Sequence, residues 1–413
     1  MALIAPAVAG EWLPSDQGFL RDWLDDQIES IDPKALLKPS VEAFRKLIDD
    51  DPQVYMLFND MLIQLSHRET PTGSPQVKSV DDLLQLFNQN IQDAPRFNET
   101  GLVGFPLNAI LNWAMGTQAG FAAFLDDKVN ACFKDMLDEW DAYLTSEASK
   151  DVLDKEDPDG WFGKKALEAM PGFEETFVCD PEDRYYGFTS WDDFFTRRLR
   201  PGVRPVATGV GEVANACESA PYHLARKKAQ LRDTFWLKGQ PYSLAHMLDS
   251  AHRTSAEPAA EDFVGGTVYQ AFLSALSYHR WHSPVDGTVK AVRNVPGTYY
   301  SQTPVALCDV ASPDLSQGYL AQLAARAVVY IEAEEPNVGL MAFVAIGMAE
   351  VSSCEVTVDV GQEVRRGEEI GMFHYGGSTH CLVFGPDVDL DFVPTQYPGG
   401  SNLLVNSKVA GLE

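Results

Sequence analysis

Apolar residues early in the chain recur at helical spacing, and later in the chain they alternate. Ser79-Val80-Asp81-Asp82 resembles a capping box with aspartate in place of glutamate. LLQLFNQNI continues it with apolar residues at helical spacing, which predicts a helix. FAAFLDDKVNACFKDMLDEWDAYL repeats the pattern at greater length. Breakers separate these stretches at Pro71-Thr72-Gly73-Ser74-Pro75 and Gly104-Phe105-Pro106. The charged, breaker-rich SKDVLDKEDPDGWFG is expected to be a linker near 148–163. SWDDFFTRRLRPG predicts a short helix. Ser190 caps it, Asp192 and Asp193 lie in its positive first turn, Arg197 and Arg198 lie near its negative end, and Pro201-Gly202 stops it. The pattern then changes to strands and turns: SPVDGTVKAV, AVVYIEA, LMAFVAIG and SSCEVTVDVGQEVRRGEEIGMFHYGG. Alternation such as Val356, Val358 and Val360 suits half-buried strands. The expected fold class is α+β, with a helical N-terminal region over residues 1–165 and a mainly antiparallel β-sheet domain over residues 180–413.

Charge narrows the partners. The 32 basic residues are outnumbered by 60 acidic ones, a net of −28, which repels nucleic acid and argues against such a partner. One basic patch stands apart. Arg197, Arg198, Arg200, Arg204, Arg226, Lys227, Lys228 and Arg232 share their stretch with only Glu212 and Glu218, and it is expected to be mostly a solvated face. The cysteines have no C-x-x-C spacing and suit reduced thiols. MALIAPAVAGEWLPSD lacks the basic residue of a signal peptide, and the longest apolar run, Val338 to Ala349, falls short of the about 20 residues a spanning helix needs. A soluble, cytoplasmic protein is expected, with the Asn98-Glu99-Thr100 sequon silent.

Two local features carry candidate chemistry. In SYHRWHSPVDG, His279 and His282 are three apart. No neighbouring Glu or Cys completes a metal ligand set, so a catalytic base or a packed structural pair is the better reading. In FHYGGSTHCLVF, a glycine pair interrupts a strand-like run before a serine, which marks either a hairpin turn or a reactive bond. The Ser378 hydroxyl can attack the carbonyl of Gly377 in an N-to-O acyl shift, with a histidine as base and an oxyanion donor on the intermediate. β-Elimination of the ester then leaves dehydroalanine, which hydrolyses to a pyruvoyl group. That carbonyl takes an amine as a Schiff base and serves as an electron sink.

Four stretches, in order, resemble the phosphatidylserine decarboxylase proenzyme family: YYGFTSWDDFFTRRLRPGVRPV (185–206), LKGQPYSLAHML (237–248), SYHRWHSPVDG (277–287) and GEEIGMFHYGGST (367–379). The resemblance implies self-cleavage between Gly377 and Ser378, a cofactor made from Ser378, and a 36-residue C-terminal chain that stays with the rest. It assigns His282 to activating the serine and His279 to decarboxylation and protonation of the product. The family completes this set with an aspartate in an A-D-G motif. Here the run is NACESA, so Glu218 stands in that place, one methylene longer, with Asp286 as a fallback orienter.

The N-terminal helical region, the ACES stretch and FHYGGS are similar to the subgroup typified by an L-tryptophan decarboxylase. His374 and Tyr278 are its candidate substrate-binding residues. The expected substrate is therefore an aromatic L-amino acid, decarboxylated to its amine. The alternatives are a phosphatidylserine headgroup, met by the Arg197–Arg232 patch, and an uncleaved, non-enzymatic β-domain scaffold.

Overall fold

The computed structural model describes residues 17–73, 75–97, 106–232, 242–274, 276–303, 312–350, 353–397 and 401–413. The N-terminal MALIAPAVAGEWLPSD, the Asn98 sequon and residues 237–241 of the second motif lie outside them. The helices of the first half are α1 (Gln17–Glu29), α2 (Pro39–Asp50), α3 (Pro52–Ser66), α4 (Val80–Asn90), α5 (Pro106–Met115), α6 (Gln118–Ala123) and α7 (Asp127–Leu144). The expected capping at Ser79 is present: its side chain accepts from the Asp82 N–H at 3.0 Å. The long pattern from Phe121 to Leu144 is two helices. Asp126 caps the second by accepting from the N–H groups of Lys128 and Val129. Helix α7 buries Val129, Phe133, Met136, Leu137, Trp140 and Leu144, one stripe at helical spacing. Phe133 lies 4.9 Å from Phe44, 5.8 Å from Phe87 and 4.8 Å from Tyr300, so it joins the helices to the second half of the chain.

Short helices α8 (Lys164–Ala169), α9 (Phe173–Thr176) and α10 (Trp191–Phe195) lead to the sheets, and α11 (Leu244–Met247) and α12 (Ser312–Leu323) are inserted between strands. The strands are β1 (Glu212–Ala214), β2 (Ala220–Ala225), β3 (Thr267–Leu273), β4 (Arg280–His282), β5 (Gly287–Val295), β6 (Arg326–Ala333), β7 (Leu340–Met348), β8 (Cys354–Val356), β9 (Glu363–Val364), β10 (Glu369–Phe373), β11 (Gly377–Phe384), β12 (Leu390–Phe392) and β13 (Lys408–Leu412). Among the described residues they form a seven-stranded sheet in the order β2-β3-β11-β7-β6-β5-β9 and two three-stranded sheets, β4-β10-β8 and β1-β13-β12. The strand pairs are antiparallel, so the chain has the expected α+β class.

Alternation divides the large sheet into two faces. Phe272, Val344, Ile346, Met348, Cys381 and Val383 share one core with the helices. Leu273, Phe343, Ala345, Leu382 and Phe384 share another with Trp281, Ile370, Phe373, Val409 and Ala410 of the two small sheets. Both faces are covered, which explains why β3 and β7 are buried along nearly their whole length instead of on alternate positions, and why β7 is a continuous apolar run.

Two expectations change. Residues 148–163 are a packed segment instead of a linker. A 3-10 helix runs from Glu147 to Leu153, and Trp161 and Phe162 are buried. Trp161 donates to the Pro95 carbonyl at 2.7 Å and meets Phe194 at 5.0 Å, while Phe162 stacks on Tyr186 at 3.9 Å. The acidic residues of this stretch disguise the aromatic pair that anchors it. The helix at Ser190 is also shorter than expected. It ends at Phe195, and Arg197 is buried, donating back to the Phe194 carbonyl and across to those of Leu276 and Ser277. Trp161→Ala is expected to cost about 3–5 kcal/mol, the range for truncating a buried large aromatic. Denaturant unfolding checks this, and a change near zero would restore the linker reading.

Candidate active site

The Gly377–Ser378 bond lies at the first two positions of β11, a central strand. Gly377 pairs with Met348 of β7. Ser378 pairs with Gly347 of β7 and with Leu273 of β3. Directly opposed residues share a face, so Ser378 faces the core under the small sheets, as Leu273 does. It is fully buried and its hydroxyl makes no hydrogen bond. The preceding Gly376 has φ of 128°, a backbone conformation that only glycine adopts without strain. The two glycines thus do different things: the first turns the chain and the second is half of the bond in question.

His282 is carried on β4, and His279 precedes that strand. This small sheet joins the motifs physically. Trp281 and Arg280 pair with Gly371 and Met372 of β10, and the Arg280 guanidinium donates to Glu369 at 2.7 Å and to the Thr196 carbonyl at 2.7 Å. The pairing brings the backbone so close that a Cβ on Gly371 would meet the Trp281 ring at 2.4 Å. The His282 Nδ1–H donates to the Gly367 carbonyl at 2.7 Å, which leaves Nε2 to accept from the Tyr278 hydroxyl at 2.8 Å. Burial lowers the His282 pKa, opposed by the Gly367 carbonyl, so the ring is neutral near pH 7. His279 is fully buried, stacks on Phe195 at 3.8 Å, and neither ring nitrogen makes a hydrogen bond. Burial, then the charge of Arg197, pushes it well below the ordinary histidine value. His380, for which the motifs carry no expectation, lies two residues beyond Ser378 on the same strand face. It too is unpartnered, and burial pushes it down to about 3.

The structure does not bring Glu218 to His282. Glu218 instead accepts two hydrogen bonds from Arg204, at 2.7 and 2.8 Å. Asp286 accepts from the Arg366 N–H at 3.1 Å, a tertiary contact that does not involve His282. Tyr278, expected at the substrate, sits on the base; the Gly367 carbonyl and the Arg204 partner had no signal in spacing alone. Glu218, Arg204, Arg197, Ser274 and Tyr278 line a cleft of about 290 Å³, beside the end of β3 that pairs with Ser378. A larger cleft of about 480 Å³, among Trp23, Gln89, Arg96 and Trp140, contains neither Ser378 nor these histidines. The basic patch is mostly solvated, as expected: Arg198, Arg226, Lys227, Lys228 and Arg232 are exposed, with Arg226 meeting Glu413 and Lys227 meeting Asp389, while Arg197 is buried and Arg204 is paired with Glu218.

His374 and Tyr375 anchor the segment ahead of the bond. His374 Nδ1 lies 3.1 Å from both Asp192 oxygens and Nε2 lies 2.9 Å from Glu355. The Tyr375 ring is held edge-on by Trp140 at 4.8 Å and Trp191 at 4.7 Å. Burial works against charge on His374, but the hydrogen bond and charge of Asp192, then Glu355 and Asp141, overcome it and raise the ring to about 9. Asp141, Asp192 and His374 place ligand atoms within 4.8 Å of one another, and the imidazolium charge already answers that acidity.

A profile described as phosphatidylserine decarboxylase matches residues 191–406, and a second phosphatidylserine decarboxylase profile matches residues 38–170. The protein is a decarboxylase, a carboxy-lyase. It belongs to the phosphatidylserine decarboxylase family. Its relatives include Decarboxylase iboD of Amanita muscaria, 44% identical over 74% of this chain and 91% of that protein. L-tryptophan decarboxylase of Psilocybe cubensis is 37% identical over 92% of this chain and 87% of that protein. The phosphatidylserine decarboxylase proenzyme of Chlamydia caviae is 30% identical over 62% of this chain and 78% of that protein. No helix among the described residues is long and apolar enough to cross a membrane.

The His374 ion pairs give a pH signature. A ring raised in the folded state contributes stability that is fully present below its unfolded value of about 6.5 and is lost as pH rises through about 9. The stability gap between wild type and His374→Gln is therefore expected to be wide at about pH 6 and to close by about pH 10. Thermal unfolding at both pH values measures it, and a gap independent of pH would exclude the ion pairs as its source.

Proposed function

We propose that the chain cuts itself between Gly377 and Ser378 and decarboxylates an aromatic L-amino acid, tryptophan-like in size, through a pyruvoyl group made from Ser378. The observation that carries this is the placement of that bond: at the mouth of a central strand, behind a glycine with φ of 128°, with a buried, unbonded serine hydroxyl. A buried hydroxyl with no partner costs stability, and a chemical role explains why it is kept, so these residues fit the group.

His282 is the candidate base. Its Nδ1–H is fixed on the Gly367 carbonyl, so its lone pair is on Nε2, where the Tyr278 hydroxyl now sits. Taking the Ser378 proton requires that phenol to give up its place. The hydroxyl oxygen then bonds to the Gly377 carbonyl carbon and the peptide C–N bond breaks. Elimination releases Gly377 as a carboxylate, and water replaces the serine nitrogen, which leaves as ammonia. The finished group supplies an electrophilic carbonyl that holds the substrate amine and accepts the electron pair left by CO₂. His279, neutral and stacked on Phe195, is the candidate that returns one proton to the product. Glu218 with Arg204 shapes the cleft beside Ser274 and Tyr278 instead of orienting His282.

The two chains are expected to stay together. The 36-residue product contains β11, inserted between β3 and β7, and β13, paired with β1. Similarity to L-tryptophan decarboxylase over most of both chains supports the amino-acid substrate over a phospholipid. Purified enzyme is expected to release CO₂ and tryptamine from L-tryptophan and to leave phosphatidylserine vesicles unchanged, with Ser378→Ala inactive on both. Release of phosphatidylethanolamine with no amine from any aromatic amino acid would overturn the substrate assignment.

A further inference from the structure

Helix α5 is buried from Leu107 to Met115, yet it carries polar side chains with nothing to bond. Neither side-chain atom of Asn112 has a partner, and the Asn108 Nδ2 and Trp113 Nε1 are also unbonded. Glu350 lies across from them, 1% exposed, just after the apolar run of β7. Its Oε1 accepts the Asn108 N–H at 2.9 Å, and its Oε2 has no partner. The Tyr300 hydroxyl, raised by burial and by the charge of Glu350, is unbonded as well. Leaving such groups unpaired in a dry interior is costly, so a cluster of them points to a missing occupant. Asn108 and Asn112 are one turn apart and share a helix face.

The cluster sits beside the reacting bond. Met348 pairs with Gly377, and Glu350 follows Met348 by two residues; the Tyr375 phenol feels the Glu350 charge, and its ring lies 5.9 Å from Phe195, which stacks on His279 at 3.8 Å. Three residues of chain and one strand spacing separate the Glu350 backbone from that of Ser378, so the two are no more than about 16 Å apart.

We propose that Glu350, Asn108 and Asn112 form the side-chain subsite of the decarboxylase, and that it selects L-amino acids whose ring carries a hydrogen-bonding group. This rests on Ser378 being the reacting end. Burial raises the Glu350 carboxyl to about 8, so near neutrality it can give a proton to a ring atom or accept one. A plain phenyl ring leaves the carboxyl and both amides unpaired, and a site built for a polar group rejects an analogue that lacks it.

The test compares L-tryptophan, L-tyrosine and L-phenylalanine by kcat/KM in wild type, Glu350→Leu, Glu350→Gln and Asn112→Leu. Calorimetry on the same processed proteins measures binding of tryptamine, tyramine and phenethylamine. Wild type is expected to favour the better polar ring over phenylalanine by ~100-fold or more, and Glu350→Leu to shrink that ratio by ~10-fold or more with chain splitting complete. If Glu350→Leu does not split, the two remaining variants are read in the same way. A wild type that treats phenylalanine as it treats the polar rings, or a ratio unchanged in every variant that splits, overturns the subsite. If no amino acid is turned over, the proposed substrate class fails, and amine selectivity in the calorimeter still decides for or against the subsite.

Discussion

The peptide bond between Gly377 and Ser378 is restrained on both sides by structure that cannot move with it. Downstream, β11 is hydrogen-bonded to β3 and β7 along its length. Upstream, His374 is ion-paired to Asp192 and Glu355, and Tyr375 is wedged between Trp140 and Trp191. Between these anchors the chain must turn, and Gly376 takes the turn at φ of 128°. The helical region therefore has a definite part in the site: α7 and α10 hold the upstream anchor.

Burial sets the chemistry. His279, His282 and His380 are all pushed toward the neutral form, whereas His374 is pulled the other way by carboxylates. One stretch of chain thus holds a charged histidine that anchors and neutral ones that can exchange protons. The site also keeps its polar groups in a dry environment, where each hydrogen bond made or missed counts for more than it would in water. Ser378, Asn112 and Glu350 are among the buried groups that keep unbonded atoms there.

Much of this was legible in the sequence. Helical spacing, the Ser79 and Ser190 caps and the α+β order are local properties and appear in the structure. The motifs around His279, His282 and Ser378 read correctly as a family, and β4 pairing with β10 shows why two of them must coexist. Less legible were contacts set by tertiary packing. Glu218 looked like the partner of a histidine, but Arg204, in the run that precedes it, holds both of its oxygens. Residues 148–163 looked like a linker because their charges outnumber the aromatic pair that buries them. Glu350 carried one faint signal, an acidic residue closing the longest apolar run. Its meaning depends on a helix some 240 positions earlier, which no spacing rule reaches.

The central claim is that this strand-mouth bond breaks and leaves a carbonyl on residue 378. Intact mass of the purified wild-type protein under denaturing conditions tests it most directly. Two chains are predicted, the smaller of 36 residues with a blocked N-terminus that gains a hydride-reducible adduct with an added amine. A single uncut chain of 413 residues with no such adduct, after prolonged incubation, would contradict it.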